Sequence, residues 1–442
     1  MFENVLSSAR DIAYRSLIRW ENSGIDPHDL LEPLIDDLAV TADRSLAREL
    51  FLGVIRWRRF LDHYIDTYSH RRRLHGKLRN ILRLGFYQLL KLDRIPPHAA
   101  VFESVELTKK YAGAEQAALT NAVLRAYLKE PERVTFPDKA TDPVEYLGLT
   151  QSYPDWLVNR YLQRFGLDDC GKLLEFGNKP APVSFFVNST STEPPIDLNE
   201  ISAGIENVDG PAAWKYYIAR DGRELLKSPQ FAAGRIIIGD PSAGMAPTAL
   251  NPDTGSLVLD LCASPGGKSA ALSMLVGDHG RVTAIDVSFE RLKKMKTNCR
   301  RWDLKNVDLA AADLLQFATS RKFKYILLDV PCSGTGTMRR NPDLRWRLRP
   351  DDIERLADYQ AKMLKAASHL LDRGGRLVYS TCSIEPEENE LQIERFIGEN
   401  PGFRMEDDAR LNEYRLGEGM YATFPTRHGM DGAFAAIMRK SI

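Results

Sequence analysis

The sequence predicts a multidomain protein of mixed class: an all-α bundle over residues 1–142, a small α/β connecting domain over 143–238, and a doubly wound α/β domain over 239–442. Three observations predict it. Residues 1 to about 140 repeat apolar side chains at spacings of three and four, the period of an amphipathic helix. From Tyr153 onward short apolar runs are separated by polar loops containing proline and glycine. Beyond Gly239 strand-like and helix-like segments alternate, as they do when helices cover both faces of a parallel sheet. A chain of 442 residues is long enough for each part to bury its own core.

In the bundle, residues 47–57 and 78–90 carry the clearest helical pattern, with arginines falling between the apolar positions. Pro96 and Pro97 interrupt it, a new helix starts near His98, and another runs through 119–128. Net charge is zero, but between residues 56 and 94 eleven basic residues (Arg56, Arg58, Arg59, Arg71, Arg72, Arg73, Lys77, Arg79, Arg83, Lys91, Arg94) stand against Asp62, Asp66 and Asp93. That run is either a solvated helix face or, with Trp57, Tyr68 and His70 among it, an RNA-contacting one. In the connecting domain a helix over 155–166 precedes strands at 183–187, 214–218 and 235–238. Its aromatic residues Phe185, Phe186, Tyr216 and Tyr217 read as core, with base stacking the alternative.

The third domain is organised around residues 256–268. A leucine- and valine-rich strand ends in Asp260, Pro265, Gly266 and Gly267 break it, and a helix follows over 268–276. Such a turn lets a ligand approach the backbone at the positive end of a helix. The next strand, 281–287, carries Asp286, 19 residues beyond Gly267, near the spacing at which a nucleotide-binding unit holds ribose hydroxyls. A helix over 289–301, a strand over 307–313 ending in Asp313, a fully apolar strand over 324–331 containing Asp329, a helix over 351–371 and a strand over 376–383 complete the repeats. In such sheets ligands sit at the carboxyl ends of the strands.

Composition excludes several classes. No run reaches the ~18 apolar residues of a membrane span, and the first residues lack the basic then apolar order of a signal peptide. The five cysteines, Cys170, Cys262, Cys299, Cys332 and Cys382, are odd in number and contain no Cys-x-x-Cys pair, which argues against a disulfide framework or a metal site and for a cytoplasmic protein. Two of them close successive strands, Cys332 after Asp329-Val-Pro and Cys382 after Ser380-Thr. A lone cysteine at a strand end is usually a small buried hydrophobe. Two, beside an aspartate and a lysine at one end of a sheet, point to thiolate chemistry.

Three segments resemble the S-adenosylmethionine-dependent RNA cytosine-5 methyltransferases: 261–268, 329–332 with 339–343, and 380–382 with 386–390. The helical region, through 84–90, 95–100 and 121–125, is similar to the NusB-like RNA-binding domain that the bacterial RsmB (Sun/Fmu) ribosomal RNA enzymes carry before a Rossmann-like catalytic domain. The resemblance covers nearly the whole chain. It implies S-adenosyl-L-methionine as cofactor, held by Cys262, Ala263, Ser264, Pro265, Gly266, Gly267 and Lys268 around the methionine moiety. It further places Asp286 on the ribose, Asp313 near the adenine and Asp329 near the methyl donor.

For catalysis it implies Cys382 as the nucleophile that adds to C6 of cytosine, Cys332 in release, Asp329 on the N3/N4 edge of the base, and Lys268 beside the thiolate or the base. DNA cytosine-5 enzymes use the Pro-Cys thiol instead, so Cys332 stays a rival nucleophile. The implied substrate is small-subunit ribosomal RNA; the sequence is silent on oligomeric state, and a monomer is the default expectation. Transfer RNA is the alternative, and a non-catalytic RNA-binding factor is the alternative of another class. The chain departs from the family pattern at Ser264, Phe186, Gly239, Gly244 and Asn341, away from the thiols and Lys268.

Overall fold

The structure, a computed structural model, describes residues 8–35, 38, 40–70, 74–190 and 196–442. Arg71, Arg72 and Arg73 of the basic run lie outside the described residues. The helices are α1 (Ala9–Ser23), α2 (Pro27–Ile35), α3 (Thr41–Arg56), α4 (Arg58–Tyr68), α5 (Gly76–Lys91), α6 (Pro97–Ala112), α7 (Ala114–Lys129), α8 (Pro143–Thr150) and α9 (Asp155–Phe176), then α10 (Gly222–Lys227), α11 (Pro229–Ala232), α12 (Met245–Leu250), α13 (Gly267–Val276), α14 (Phe289–Arg301), α15 (Leu344–Arg347), α16 (Pro350–Leu370), α17 (Glu390–Glu399) and α18 (Pro425–His428). The strands are β1 (Val183–Val187), β2 (Ile205–Val208), β3 (Tyr216–Ala219), β4 (Ile236–Ile238), β5 (Leu257–Leu261), β6 (Arg281–Asp286), β7 (Val307–Ala311), β8 (Phe323–Asp329), β9 (Leu371–Thr381), β10 (Phe403–Met405), β11 (Arg415–Gly417), β12 (Met420–Thr423) and β13 (Ala433–Lys440). Among the described residues no helix is long and apolar enough to cross a membrane.

The chain forms two compact units, Met1–Asn178 with Asn341–Arg347, and Lys179–Arg340 with Leu348–Ile442. The first is the helical bundle. It takes in α8 and α9, which the sequence assigned to the connecting domain, and α15, which it assigned to the last domain. Helix α9 is two helical stretches across a kink at Gly166, φ 75° and ψ 177°: the first stops where the sequence placed its end, and a second runs on to Phe176. Helix α5 is buried nearly all round, its Leu78, Ile81, Leu82, Phe86 and Tyr87 sharing a core with α1, α3, α4 and α7.

Much of the basic run is spent inside this unit. Arg83, 5% exposed, pairs with both oxygens of Asp62 at 2.8 and 2.7 Å and with Glu21 at 2.9 Å. Arg79 pairs with Asp66, Arg59 with Asp155, and the Lys91 ammonium lies 3.4 Å from the Trp57 ring centre. Tyr68 is buried and donates to the Glu130 carbonyl. Buried charges need such partners, and this geometry explains why an arginine run here falls at helix-contact spacing.

In the second unit, a four-stranded antiparallel sheet runs β2-β3-β1-β4. Phe185, Phe186 and Tyr216 are buried in it, and Tyr217 packs on Phe185 with ring centres 5.5 Å apart, so these rings are core rather than a base-stacking platform. Phe186 lies against Trp214 and Tyr216.

The nine-stranded sheet runs β11-β12-β13-β9-β8-β5-β6-β7, with β10 also on β13. Strands β9, β8, β5, β6 and β7 are mutually parallel, as the β/α alternation predicted. The fully parallel doubly wound sheet expected from the sequence needs one correction. β13 pairs antiparallel with β9, and β10 to β12 extend that antiparallel half, making the sheet mixed. Alternate residues of the parallel strands feed different layers: Val258, Leu327 and Val378 pack toward α12 and α13, while Leu259, Ile326, Leu328 and Leu377 pack toward α16 and α17. Burial on both faces is why β8 reads as a continuous apolar run.

Candidate active site

The loops leaving β5, β6, β7, β8 and β9 all open at the carboxyl ends of the parallel strands. After β5 the chain turns through Cys262 at φ 64° and Gly266 at φ 107° before entering α13. A Cβ on Gly266 would meet Met295 Cγ at 3.0 Å in a backbone region L residues rarely adopt, so the turn requires glycine. No side chain caps the first turn of α13, which leaves its amide end available to an anionic ligand group. The acid at the end of β6 holds this turn, because Asp286 accepts from Ser264 N at 3.2 Å and from Ser288 N at 2.8 Å. Arg291 lies 3.3 Å from the same carboxylate.

A cavity of about 190 Å³ is lined by Cys262, Ser264, Asp286, Asp313, Asp329, Cys332 and Cys382. Residues chosen from five separate stretches of sequence therefore meet at one place. Ala263, Pro265, Gly266 and Gly267 shape the adjoining turn, and Lys268 joins through an ion pair to Asp329 at 2.6 Å. Burial works to lower the pKa of the Lys268 ammonium, but the charge and hydrogen bond of Asp329, with the neighbouring Cys382, outweigh it and raise it. Asp313 has two attachments of its own: it caps its turn, accepting from Leu315 N and Gln316 Nε2, and it also lines the cavity. The Cys262 thiol is pushed up to about 12, first by burial and then by Asp329 and Asp286, which keeps it a thiol.

The other two thiols face each other. Cys332 Sγ and Cys382 Sγ are 3.3 Å apart, and the Cys382 amide donates to Cys332 Sγ at 3.4 Å. The Cys332 loop lies flat on the Cys382 loop because Gly336 donates to the Cys382 carbonyl at 3.0 Å, where a Cβ would stand 2.8 Å from that oxygen and 2.2 Å from the carbonyl of Gly432. The Cys332 thiol is raised well above its ordinary value, first by its hydrogen bond with Cys382, then by burial and by the charges of Cys382 and Glu388.

Sequence reasoning missed several members. Asp260, fully buried beneath the turn, accepts from Ser269 Oγ, and burial above all raises it to about 7. Its signal was an acid inside an otherwise apolar strand. Tyr359 and Arg291 line the cavity without any motif to announce them. Glu388 and Gln360, which hold the cysteine loops from behind, lie in a quoted segment and in a plain helix respectively. Arg340 is clamped between Asp240 and Asp431 and also donates to the Pro182 carbonyl, tying the small sheet to the large one.

An anion-receptive glycine turn, a buried carboxylate one strand away and paired thiols beside them, at the carboxyl ends of the parallel half of the sheet, define an S-adenosylmethionine-dependent methyltransferase. Comparison with known proteins narrows this. Residues 247–439 match the family described as 16S rRNA methyltransferase RsmB/F, and residues 7–129 match the NusB family. The chain is 33% identical to the probable ribosomal RNA small subunit methyltransferase B of Bacillus subtilis, over 98% of this chain and 99% of that one. It is 34% identical to the ribosomal RNA small subunit methyltransferase B of Vibrio cholerae over 90% of each. Among solved structures the fold is similar to that of PH0851, with a TM-score of 0.80 and 24% identity across 98% of each chain. A methyltransferase homolog protein from Pyrococcus horikoshii is 29% identical with a TM-score of 0.57, covering 68% of this chain and 99% of that one. The chain belongs to the RsmB family of 16S ribosomal RNA methyltransferases.

Proposed function

We propose that the protein methylates C5 of a cytosine in 16S ribosomal RNA, with Cys382 as nucleophile and Cys332 serving release. The observation that carries this reading is the thiol pair at 3.3 Å in the cavity lined by Asp329, the ion-pair partner of Lys268. S-Adenosylmethionine, when bound, supplies an electrophilic methyl group. The residues present suit it: the uncapped turn of α13 offers amides to a carboxylate, and Asp286 and Asp313, both lining the cavity, would take the ribose hydroxyls and the adenine.

Cytosine C5 is a weak nucleophile until C6 is attacked. The Cys382 thiolate adds to C6, and C5, now enamine-like, takes the methyl group. Asp329, held by Lys268, hydrogen-bonds the N3/N4 edge and favours the addition. Cys332, having released its own proton to solvent, then takes the C5 proton as a thiolate, the C5–C6 double bond re-forms, and the C6–S bond breaks to return the Cys382 thiolate. A thiol kept protonated is a poor nucleophile, so the raised Cys332 supports Cys382 for the attack. Once Cys382 is a thioether its charge is gone, and Cys332 ionises more readily at the step that needs a base. Holding both reactants in one crevice makes the transfer effectively unimolecular.

We assign the protein to the cytoplasm as a monomer, with ribosomal RNA as partner. Bisulfite sequencing of total RNA from cells with and without the protein tests the reading. The expected result is one 5-methylcytosine lost from 16S RNA, restored by the wild-type chain and not by Cys382→Ala. A site lost from transfer RNA instead, or restoration by Cys382→Ala, overturns it.

A further inference from the structure

Glu388 stands behind both cysteine loops with no exposed surface, in the short turn Pro386–Glu388 that follows β9. Its Oε1 accepts from Ser333 N at 2.8 Å and from Gln360 Nε2 at 2.8 Å, and its Oε2 accepts from Ser333 Oγ at 2.5 Å. These donors are neutral, as is Ser383, whose side chain also bonds the carboxyl. A carboxylate buried on neutral donors is costly compared with an amide of the same shape, so its retention calls for a use.

The partners indicate the use. Ser333 directly follows Cys332, and Gln360 also donates to the carbonyl of Pro331, which directly precedes it, at 3.0 Å. The Glu388–Gln360 pair thus grips the peptide on both sides of Cys332. The grip extends to the other thiol loop, since Ser333 Oγ lies 3.0 Å from Ser383 Oγ, which is 3.2 Å from Thr335 Oγ1. Tyr379 on β9 donates to the Glu388 carbonyl at 2.7 Å and fixes the clamp itself. Cys382 needs less of this, because it follows directly from the paired end of β9.

We propose that Glu388 is a positioning residue for the release step: by fixing the loop on either side of Cys332 it aims that sulfur at the carbon from which the proton must leave. The proposal rests on the assignment of release to Cys332 made above. A residue that merely stabilised the fold would affect addition and release alike, whereas a residue that aims Cys332 affects release alone.

The test follows formation and decay of the denaturant-resistant protein–RNA adduct in single turnovers with a 16S RNA fragment and S-adenosylmethionine. Glu388→Ala is expected to form the adduct at close to the wild-type rate and to release it about 10- to 100-fold more slowly, the scale of loss for a group displaced by about an ångström. Glu388→Gln, which keeps the shape and an acceptor for Ser333 N, is expected to recover most of the release rate. Equal loss of formation and release in Glu388→Ala, or unchanged release, overturns the proposal. Should Glu388→Ala fail to fold, Ser333→Ala decides: slowed release supports the clamp and wild-type release refutes it. Cys332→Ala run in parallel separates the two levels. If it does not trap the adduct, the assignment of release itself fails; if it does and Glu388→Ala does not, only the present proposal fails.

Discussion

Lys268, in the first turn of α13, and Asp329, at the end of β8, stand 61 positions apart in sequence and meet at 2.6 Å. The pair takes up Asp329 Oδ2; in the proposed mechanism the other oxygen serves the base and the ammonium compensates charge near Cys382. Asp329→Asn is expected to lower single-turnover methylation by about 100-fold, the lower end of what a positioned acid–base group contributes, with S-adenosylmethionine affinity measured alongside as the control. At Asp260 burial raises the carboxyl to about 7 in the folded chain, above its ordinary 3.8. Stability from this group is complete below about pH 4 and is lost as pH rises through about 7. Relative to Asp260→Asn, the wild type should therefore lose unfolding free energy between about pH 4 and 7, at up to about 1.4 kcal/mol per pH unit, and level off above. Denaturant titrations at several pH values check this, and a difference that stays flat with pH contradicts it. The residues announced by a motif, 262–268 and the two thiols, were legible in the sequence because glycine turns and strand-end cysteines have local signatures. Asp260, Gln360, Tyr359 and Glu388 were not, since their importance arises from what lies across the sheet from them.

Strand ends do the assembling at the next scale. Helix α13 can start where it does only because Gly266 adopts φ 107° against Met295. Gly266→Ala should destabilise the second unit by about 1–2 kcal/mol and weaken S-adenosylmethionine binding in calorimetry, since the turn must open to relieve the contact. An unchanged affinity would show that the ligand does not rest on this turn. The parallel half of the sheet was legible from its β/α rhythm and its apolar runs. The antiparallel half was not, because β10, β11 and β12 are three or four residues long and carry Arg404, Arg415 and glycine, leaving no period to read. Strand β2, Ile-Glu-Asn-Val at a sheet edge, was missed for the same reason.

At the scale of the whole molecule, domain limits read from composition followed the order of the chain, and the compact units do not. Asn341–Arg347 belongs with the helical unit although its neighbours on both sides belong to the other. Within that unit Arg345 is fully buried over the Tyr153 ring at 3.8 Å and donates to the carbonyls of Arg56, Ser152 and Gly177 and to Asn178 Oδ1. Trp346 donates to the Ile55 carbonyl at 2.7 Å. Contacts almost three hundred positions apart leave no trace in a local pattern, which is why the segment read only as part of a family motif. Arg345→Met should cost the unit about 2–4 kcal/mol by leaving several buried oxygens unpaired, seen as a lower midpoint in thermal unfolding. An unchanged midpoint would mean those oxygens find other donors.

The central claim is that the sulfur at position 382 bonds to cytosine while that at 332 frees it. Peptide mapping by mass spectrometry of the adduct formed by Cys332→Ala with a 16S RNA fragment tests this most directly. The account predicts a cytosine-derived mass carrying the added methyl on the peptide containing Cys382, and no adduct from Cys382→Ala. An adduct on Cys332 in the Cys382→Ala chain would contradict it and exchange the two roles.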